Sequence, residues 1–400
     1  MTVPLSRRIA VSGLLGAFAA ALASCGGVMD SGRGRPSAAA EPLPPATPTP
    51  PAGRTIGTGS TRIAIVLPLG STGQGASAAA SLRNAAELAI AELGTPDITI
   101  LVKDDRGNAE GAREATSAAL AEGAELVLGP LFAPAVAAAG TVARGQSRPV
   151  IGFSTDAAVA SRGVYLLSFL PQNEVERVVD YAAAQGRRSL AALLPDTTYG
   201  SVVEASFRET AARRGVRVAG LERYAPGQPA AAVSRLAPLF SGQIDALFIP
   251  APGDDLPAIG TALAGAGFSP ARVKPLGTGL WNDPRVAGIA ALQGGWFAAP
   301  DSAGFTAFAG RYRARFNAEP TRIATLAYDA VSLAAALARA SADSRYSDAA
   351  LLAPTGFAGV DGVFRFRADG TNERALAVNE VRGEGAVVVS PAPRAFGAAG

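Results

Sequence analysis

Residues 62–105 read as one complete strand, loop, helix and strand, and this unit restricts the fold more than any other stretch. Residues 63–69 form a short, continuous apolar run against Gly70, which suits a parallel strand buried on both faces better than an amphipathic one. Leu82, Ala85, Ala86, Ala89, Ile90 and Leu93 recur at helical spacing, leaving Arg83, Glu87 and Glu92 for solvent. Residues 98–102 return as a second strand and end in Lys103, Asp104, Asp105 and Arg106. In an open α/β sheet that carboxyl end faces the ligand crevice.

The same alternation runs on. Strands are expected over 125–128, 149–153, 164–169, 189–194, 216–224, 246–250 and 273–277. Helices are expected over 110–122, 134–145, 174–185, 202–214, 231–240 and 255–266. Repeated strand and helix in this order means parallel sheets with helices on both faces, here in two successive sets. The end of the chain differs, with longer amphipathic helices over 305–316 and 323–339. Residues 362–366 and 375–381 are expected to form a hairpin around the Asp369-Gly370 turn, and the chain to fray after Val389.

Absences narrow the chemistry. The 400 residues contain no His and one Cys, which removes His-based triads, Cys-His dyads and nearly every zinc site. No enzyme, cofactor or metal is expected. A net charge of +3 with no Lys/Arg run gives no footprint for nucleic acid.

The single Cys has a place. Arg7 and Arg8 precede the apolar residues 9–22, and Leu22-Ala23-Ser24-Cys25 follows at once, so residues 1–24 read as a signal peptide. These four residues match a bacterial lipobox, which implies a lipidated Cys25 at the start of the mature chain. Residues 25–61 are rich in Pro, with Gly, Ser, Thr and Ala, and are expected to be a semi-extended tether.

From Ile63-Ala64-Ile65-Val66 through Gly129-Pro130, Pro149-Val150-Ile151, Tyr199-Gly200, Tyr328-Asp329-Ala330 and Gly362-Val363-Phe364-Arg365-Phe366, the chain resembles the type I periplasmic solute-binding proteins. The resemblance is to the leucine/isoleucine/valine-binding branch and covers about residues 62–385. It implies two doubly wound α/β lobes joined by three hinge crossings, with a small ligand trapped as the lobes close. Lobe one would be 62–170 plus 300–357 and lobe two 171–299 plus 358–390, with 391–400 a frayed tail. The crossings would fall near Pro171, Pro300 and Ala358.

The resemblance also implies a clamp for an amino acid, and the residues depart from it. Leu131-Phe132-Ala133 stands where a hydroxyl is usual, Asp156 follows Ser154 and Thr155 where a carboxylate would be held, and Pro and Gly replace the ammonium-binding acid within 250–253 and 277–280. The candidate ligand contacts are Ser71, Phe132, Ser154, Thr155, Asp156, Tyr199 and Trp281, whereas Trp296 reads as core. Each polar tip also reads as a cap or loop anchor. A free branched-chain amino acid is therefore not expected to bind tightly; a neutral or cationic solute is.

Two functions remain open. One is a lipid-anchored solute-binding protein on the periplasmic side of the envelope, at the outer membrane, handing a small molecule to an ABC permease. The other keeps the fold without a ligand and activates a penicillin-binding protein, as some anchored lipoproteins of this fold do.

Overall fold

A computed structural model describes residues 55–397; the signal peptide, Cys25 and most of the expected tether lie outside the described residues. In chain order the first sheet is built from β1 (Thr55–Ile56), β2 (Thr61–Leu67), β3 (Ile98–Asp104), β4 (Val127–Leu128), β5 (Val150–Gly152) and β6 (Val164–Leu166). Helices α1 (Gly73–Glu92), α2 (Ala109–Ala121) and α3 (Ala133–Arg144) connect them. The sheet order β1-β3-β2-β4-β5-β6 puts β2 between β3 and β4, where the winding reverses, and all pairs are parallel except β1 with β3.

The apolar run of β2 is buried on both faces because its alternate residues enter two different cores. Ile63, Ile65 and Leu67 pack with Leu82, Ala85, Ala86 and Ala89 of α1, while Ala64 and Val66 pack with Ala115, Ala119 and Leu120 of α2. The solvent face of α1 differs from expectation: Arg83 is buried and Leu93 is 42% exposed. Arg83 borders a cavity shared with Ile56 of β1, Glu87 and Arg315, and Leu93 is the helix C-cap. β1 itself lies within the stretch read as tether, fixed by pairing with β3.

The second sheet begins after α4 (Pro171–Ala184) and alternates β7 (Ser189–Pro195), α5 (Thr198–Arg213), β8 (Arg217–Tyr224), α6 (Ala230–Leu236), β9 (Ala246–Phe248), α7 (Leu256–Gly265), β10 (Lys274–Gly277) and β11 (Trp296–Ala299). The chain then returns to the first set with α8 (Ser302–Phe316), α9 (Ala324–Leu337), α10 (Asp348–Leu351), β12 (Phe364–Phe366) and β13 (Asn372–Arg374). It ends in β14 (Ala377–Arg382) and β15 (Gly385–Ser390). The second sheet is ordered β15-β14-β11-β10-β9-β7-β8, parallel from β8 to β11 and antiparallel beyond. Both sheets are thus mixed, with mostly parallel strands. As in β2, Ala191 and Leu193 of β7 face one core while Leu190, Ala192 and Leu194 face another.

Two features of the C-terminal part depart from the sequence expectation. Phe364 of β12 pairs not with residues 375–381 but with Arg374 of β13, so the hairpin is shorter, and β14 instead joins β11 and β15. The Phe366 ring lies 5.3 Å from that of Tyr165, tilted by 43°, and with Phe364 it belongs to the first core, where sequence had put residues 358–366 in the second lobe. The chain therefore passes to the second sheet at Ala375–Leu376, not near Ala358. Residues 391–397 do not simply trail away, since the Arg365 guanidinium lies 4.6 Å from the Phe396 ring.

The crossings are tied to one another by buried polar contacts. Ser168 O accepts from Asn372 Nδ2 at 2.8 Å and from Arg374 Nε at 3.1 Å, and Asn173 Nδ2 donates to Asn372 Oδ1 at 3.2 Å. Beside them Asp361, with a fully buried side chain, accepts from Arg322 Nη1 and Nη2 at 3.0 and 2.7 Å and from Thr325 Oγ1 at 2.6 Å.

Candidate functional site

The carboxyl ends of the parallel strands carry the polar tips of both sheets, the location favoured for ligands in such sheets. After β2 the chain turns at Pro68 and places Ser71 beside Phe132, the residue preceding α3. The two flank the same glycines: a Cβ on Gly107 would stand 2.7 Å from Ser71 Oγ and 3.6 Å from the Phe132 ring. Phe132 is 38% exposed. Between them in sequence, Gly129 takes φ +82°, and any Cβ there would meet Val66 O at 2.2 Å.

The remaining first-lobe candidates serve their own backbone. Ser154 is buried, and its Oγ accepts the Asp156 N–H at 3.1 Å. Asp156 Oδ1 accepts the Ala158 N–H at 3.0 Å and caps a short 3-10 turn over Ala157–Val159. Thr155 is exposed beside them. The charged tip of β3 behaves likewise: Asp104 Oδ1 accepts from Gly70 N and Arg106 N, and Asp105 Oδ1 from Gly107 N. Burial raises Asp105 to about 6, opposed by that N–H bond.

In the second lobe Thr197 caps α5, so Tyr199 sits in the first turn of the helix, not in the loop before it. Its hydroxyl lies 2.9 Å from Thr278 Oγ1, at the tip of β10. Trp281 does not line the crevice: it is 1% exposed and packs in the second core, its Nε1 donating to Ile249 O at 3.0 Å. The ring occupies the volume beside Gly277, where a Cβ would fall 2.1 Å from it. A cavity of about 310 Å³ next to Trp281 is formed wholly by second-lobe residues, among them Asp283, Phe297 and Glu384. Trp296 is buried as expected, edge-on to Tyr181 at 4.9 Å.

Sequence reasoning missed Glu174. It lies in the first turn of α4, and its Oε2 accepts the Gly279 N–H at 2.9 Å, across 105 positions of sequence. A Cβ on Gly279 would come 2.6 Å from Oε1, so the absence of a side chain at 279 makes room for the carboxylate. Burial raises Glu174 to about 7, while the Gly279 N–H and the positive charge of Arg322 pull the other way. The residue nevertheless keeps partial solvent exposure. Its charge in turn adds to the burial that raises Tyr199. Arg322 approaches from the first lobe, its guanidinium 4.6 Å from the Phe169 ring and 4.7 Å from the Phe305 ring. The only advance signal was a Pro171-Gln172-Asn173-Glu174 helix start, which reads as an ordinary first-turn acid.

Among the described residues no group of three or more Cys, Asp or Glu side chains is arranged to hold a metal ion, and no helix is long and apolar enough to cross a membrane. What the arrangement offers is recognition by hydrogen bond, charge and apolar contact.

A family model described as periplasmic binding protein matches residues 60–386. Among curated proteins none matches the sequence. Among solved structures, a candidate branched-chain amino acid ABC transporter from Rhodospirillum rubrum superposes with a TM-score of 0.72 at 22% identity, covering 82% of this chain and 99% of that one. A Rhodopseudomonas palustris solute-binding protein of an ABC transporter, in complex with 3,4-dihydroxybenzoic acid, gives 0.58 at 20% identity over 85% and 98%. The Streptococcus pneumoniae branched-chain amino acid binding protein LivJ, in complex with isoleucine, gives 0.55 at 21% over 83% and 99%.

Proposed function

We propose, from the premise that this chain belongs to the periplasmic binding protein family by its match across residues 60–386, that it is an extracytoplasmic solute-binding protein that delivers a small molecule to an ABC importer. The observation that carries the reading is the group at the strand ends of the second lobe, where Glu174, Tyr199, Thr278 and the Gly279 N–H converge from three elements while Arg322 stands nearby on the other lobe. Ser71 and the exposed Phe132 stand together at the strand ends of the first lobe. Binding is the whole task, with no catalytic step. The neighbours' ligands, an aromatic acid and an aliphatic amino acid, set the size of solute that this architecture accommodates.

The test is to incubate the purified protein with a small-molecule extract of cells, wash it, and identify retained solute by mass spectrometry. The radius of gyration is followed by X-ray scattering as the solute is added. A retained solute with a smaller radius supports the reading. No retained solute and an unchanged radius overturn it, and would favour the ligand-free activator of a penicillin-binding protein.

The proposal includes the anchor. The Leu22-Ala23-Ser24-Cys25 sequence supports lipidation at Cys25 and attachment to a membrane on its periplasmic side. Cys25→Ala should abolish fatty-acid labelling in cells; label that persists in the variant refutes the anchor.

A further inference from the structure

Carboxylates near the strand ends are mostly spent. Asp104 and Asp156 cap their own backbones, Asp283 pairs with Arg285, and Asp361 pairs with Arg322. Glu174 is different. One oxygen takes the Gly279 N–H, the residue forms no ion pair among the described residues, and it keeps partial exposure to solvent. Arg322 does not neutralise it, because both terminal nitrogens of that guanidinium are held by Asp361. The local sum of Arg322, Asp361 and an ionised Glu174 is one negative charge.

The neighbours of Glu174 complete a receptor for a cation. The Tyr199 hydroxyl and Thr278 Oγ1 lie 2.9 Å apart, and since only one of them donates in that bond, lone pairs remain for a third group. Apolar surface adjoins this group in sequence: Leu280, next to Gly279, is 40% exposed. A carboxylate solute would meet Glu174 with like charge and would find the Arg322 charge already paired with Asp361.

We infer that Glu174 recognises the ammonium group of a small organic cation with a short apolar body, held with Tyr199 and Thr278 at the second-lobe strand ends. This rests on the solute-binding reading and gives it a ligand class. It also carries a proton consequence. Burial leaves the empty site partly protonated near neutral pH, since Glu174 is raised to about 7 against the pull of the Gly279 N–H and Arg322; Tyr199, itself raised, stays neutral there. A bound cation requires the ionised carboxylate, so binding releases a proton below that value, and affinity increases with pH.

The experiment uses four compounds with one branched aliphatic body: 3-methylbutylamine, leucinamide, leucine and 4-methylpentanoate. They carry the ammonium alone, the ammonium beside a neutral amide, both charges, and the carboxylate alone. Each is titrated calorimetrically into the full chain at pH 6 and pH 8, in wild type, Glu174→Gln and Tyr199→Phe, with thermal melts to establish that the variants fold. The amine and the amide should bind and the carboxylate should not; the amine should bind about tenfold tighter at pH 8 than at pH 6, and the amide only about fivefold tighter, because its own ammonium is about half deprotonated at pH 8. Glu174→Gln should weaken amine binding by at least about tenfold and remove its pH dependence, with a smaller loss in Tyr199→Phe. Preference for the carboxylate, or an amine affinity unchanged in folded Glu174→Gln, overturns the inference and leaves the solute-binding reading standing. If none of the four binds, the inference falls; the solute-binding reading falls with it only if the extract experiment also retains nothing.

Discussion

The strand ends of the two lobes use similar residues in opposite ways. In the first lobe Asp104, Ser154 and Asp156 bond to N–H groups within a few residues or on the adjoining loop, so their polarity closes turns. In the second lobe Glu174 reaches Gly279 over 105 positions, and Tyr199 reaches Thr278 over 79. A local cap is complete without a partner molecule, whereas a group assembled from separate elements exists only because the fold holds them together. If the proposed solute binds in this crevice, the first lobe supplies a rim with the exposed Phe132 and the second supplies the polar chemistry.

The support beneath the second-lobe group should be the most costly to remove. Trp281 fills the space against Gly277 and satisfies its own N–H on Ile249 O, directly below the Thr278–Gly279 tip. Trp281→Ala should lose about 3–5 kcal/mol in urea unfolding, through the cavity and the lost contacts. A loss below 1 kcal/mol would mean that the tip does not depend on the core under it. Asp361→Ala comes next. It strands Arg322 beside Phe169 and Phe305, and although Arg322 is partly exposed, the loss of two charge-assisted bonds and the Thr325 contact should cost about 2–3 kcal/mol. Equal stability of the variant and wild type would show that water replaces the carboxylate without penalty.

Glu174 also makes the stability of the second lobe depend on pH. Glu174 is raised to about 7 in the folded protein, above its ordinary value of 4.5, so between these values the folded state holds a proton that the unfolded state has released. Stability from this group therefore falls as pH rises from about 4.5 to 7, and the full penalty is present above 7. Glu174→Gln should match wild type below pH 4.5 and exceed it by roughly 1–2 kcal/mol at pH 8, read from melts across that range. A variant less stable than wild type at pH 8 would show that the ionised carboxylate is better compensated than its burial implies.

Much of the architecture was legible because it is written in local order. The apolar run 63–67 and the alternation after it specify buried parallel strands, and the two sheets follow. Partner choice was not legible where two strands could pair with several others: β12 has the right turn for a hairpin, but β14 finds a better edge on β11. The candidate site was half legible. Ser71, Phe132 and Tyr199 stand at strand ends, while Trp281 was misplaced because a tryptophan after a strand tip looks the same whether it turns outward or inward. Glu174 was invisible, since nothing in Pro171-Gln172-Asn173-Glu174 shows that a glycine 105 positions later will lie under its carboxylate. The substitution of Gly for a side chain at 279 was read as a loss, when it is the space that admits an acid from another element.

The smallest expected effect tests the first-lobe side of the comparison. If Asp156 is only a cap, Asp156→Ala should cost about 0.5–1 kcal/mol, the ordinary value for losing one bond to a backbone N–H at an exposed turn. Asp156→Asn, which retains an acceptor, should recover most of it. Neither change should alter the affinity for whichever solute the protein retains from the extract by more than about twofold, because the side chain is turned to Ala158 and the Tyr199 and Glu174 group is untouched. A tenfold change in affinity at unchanged stability would place Asp156 in contact with the ligand when the lobes close. The first lobe would then share the polar recognition that its resting geometry assigns to the second.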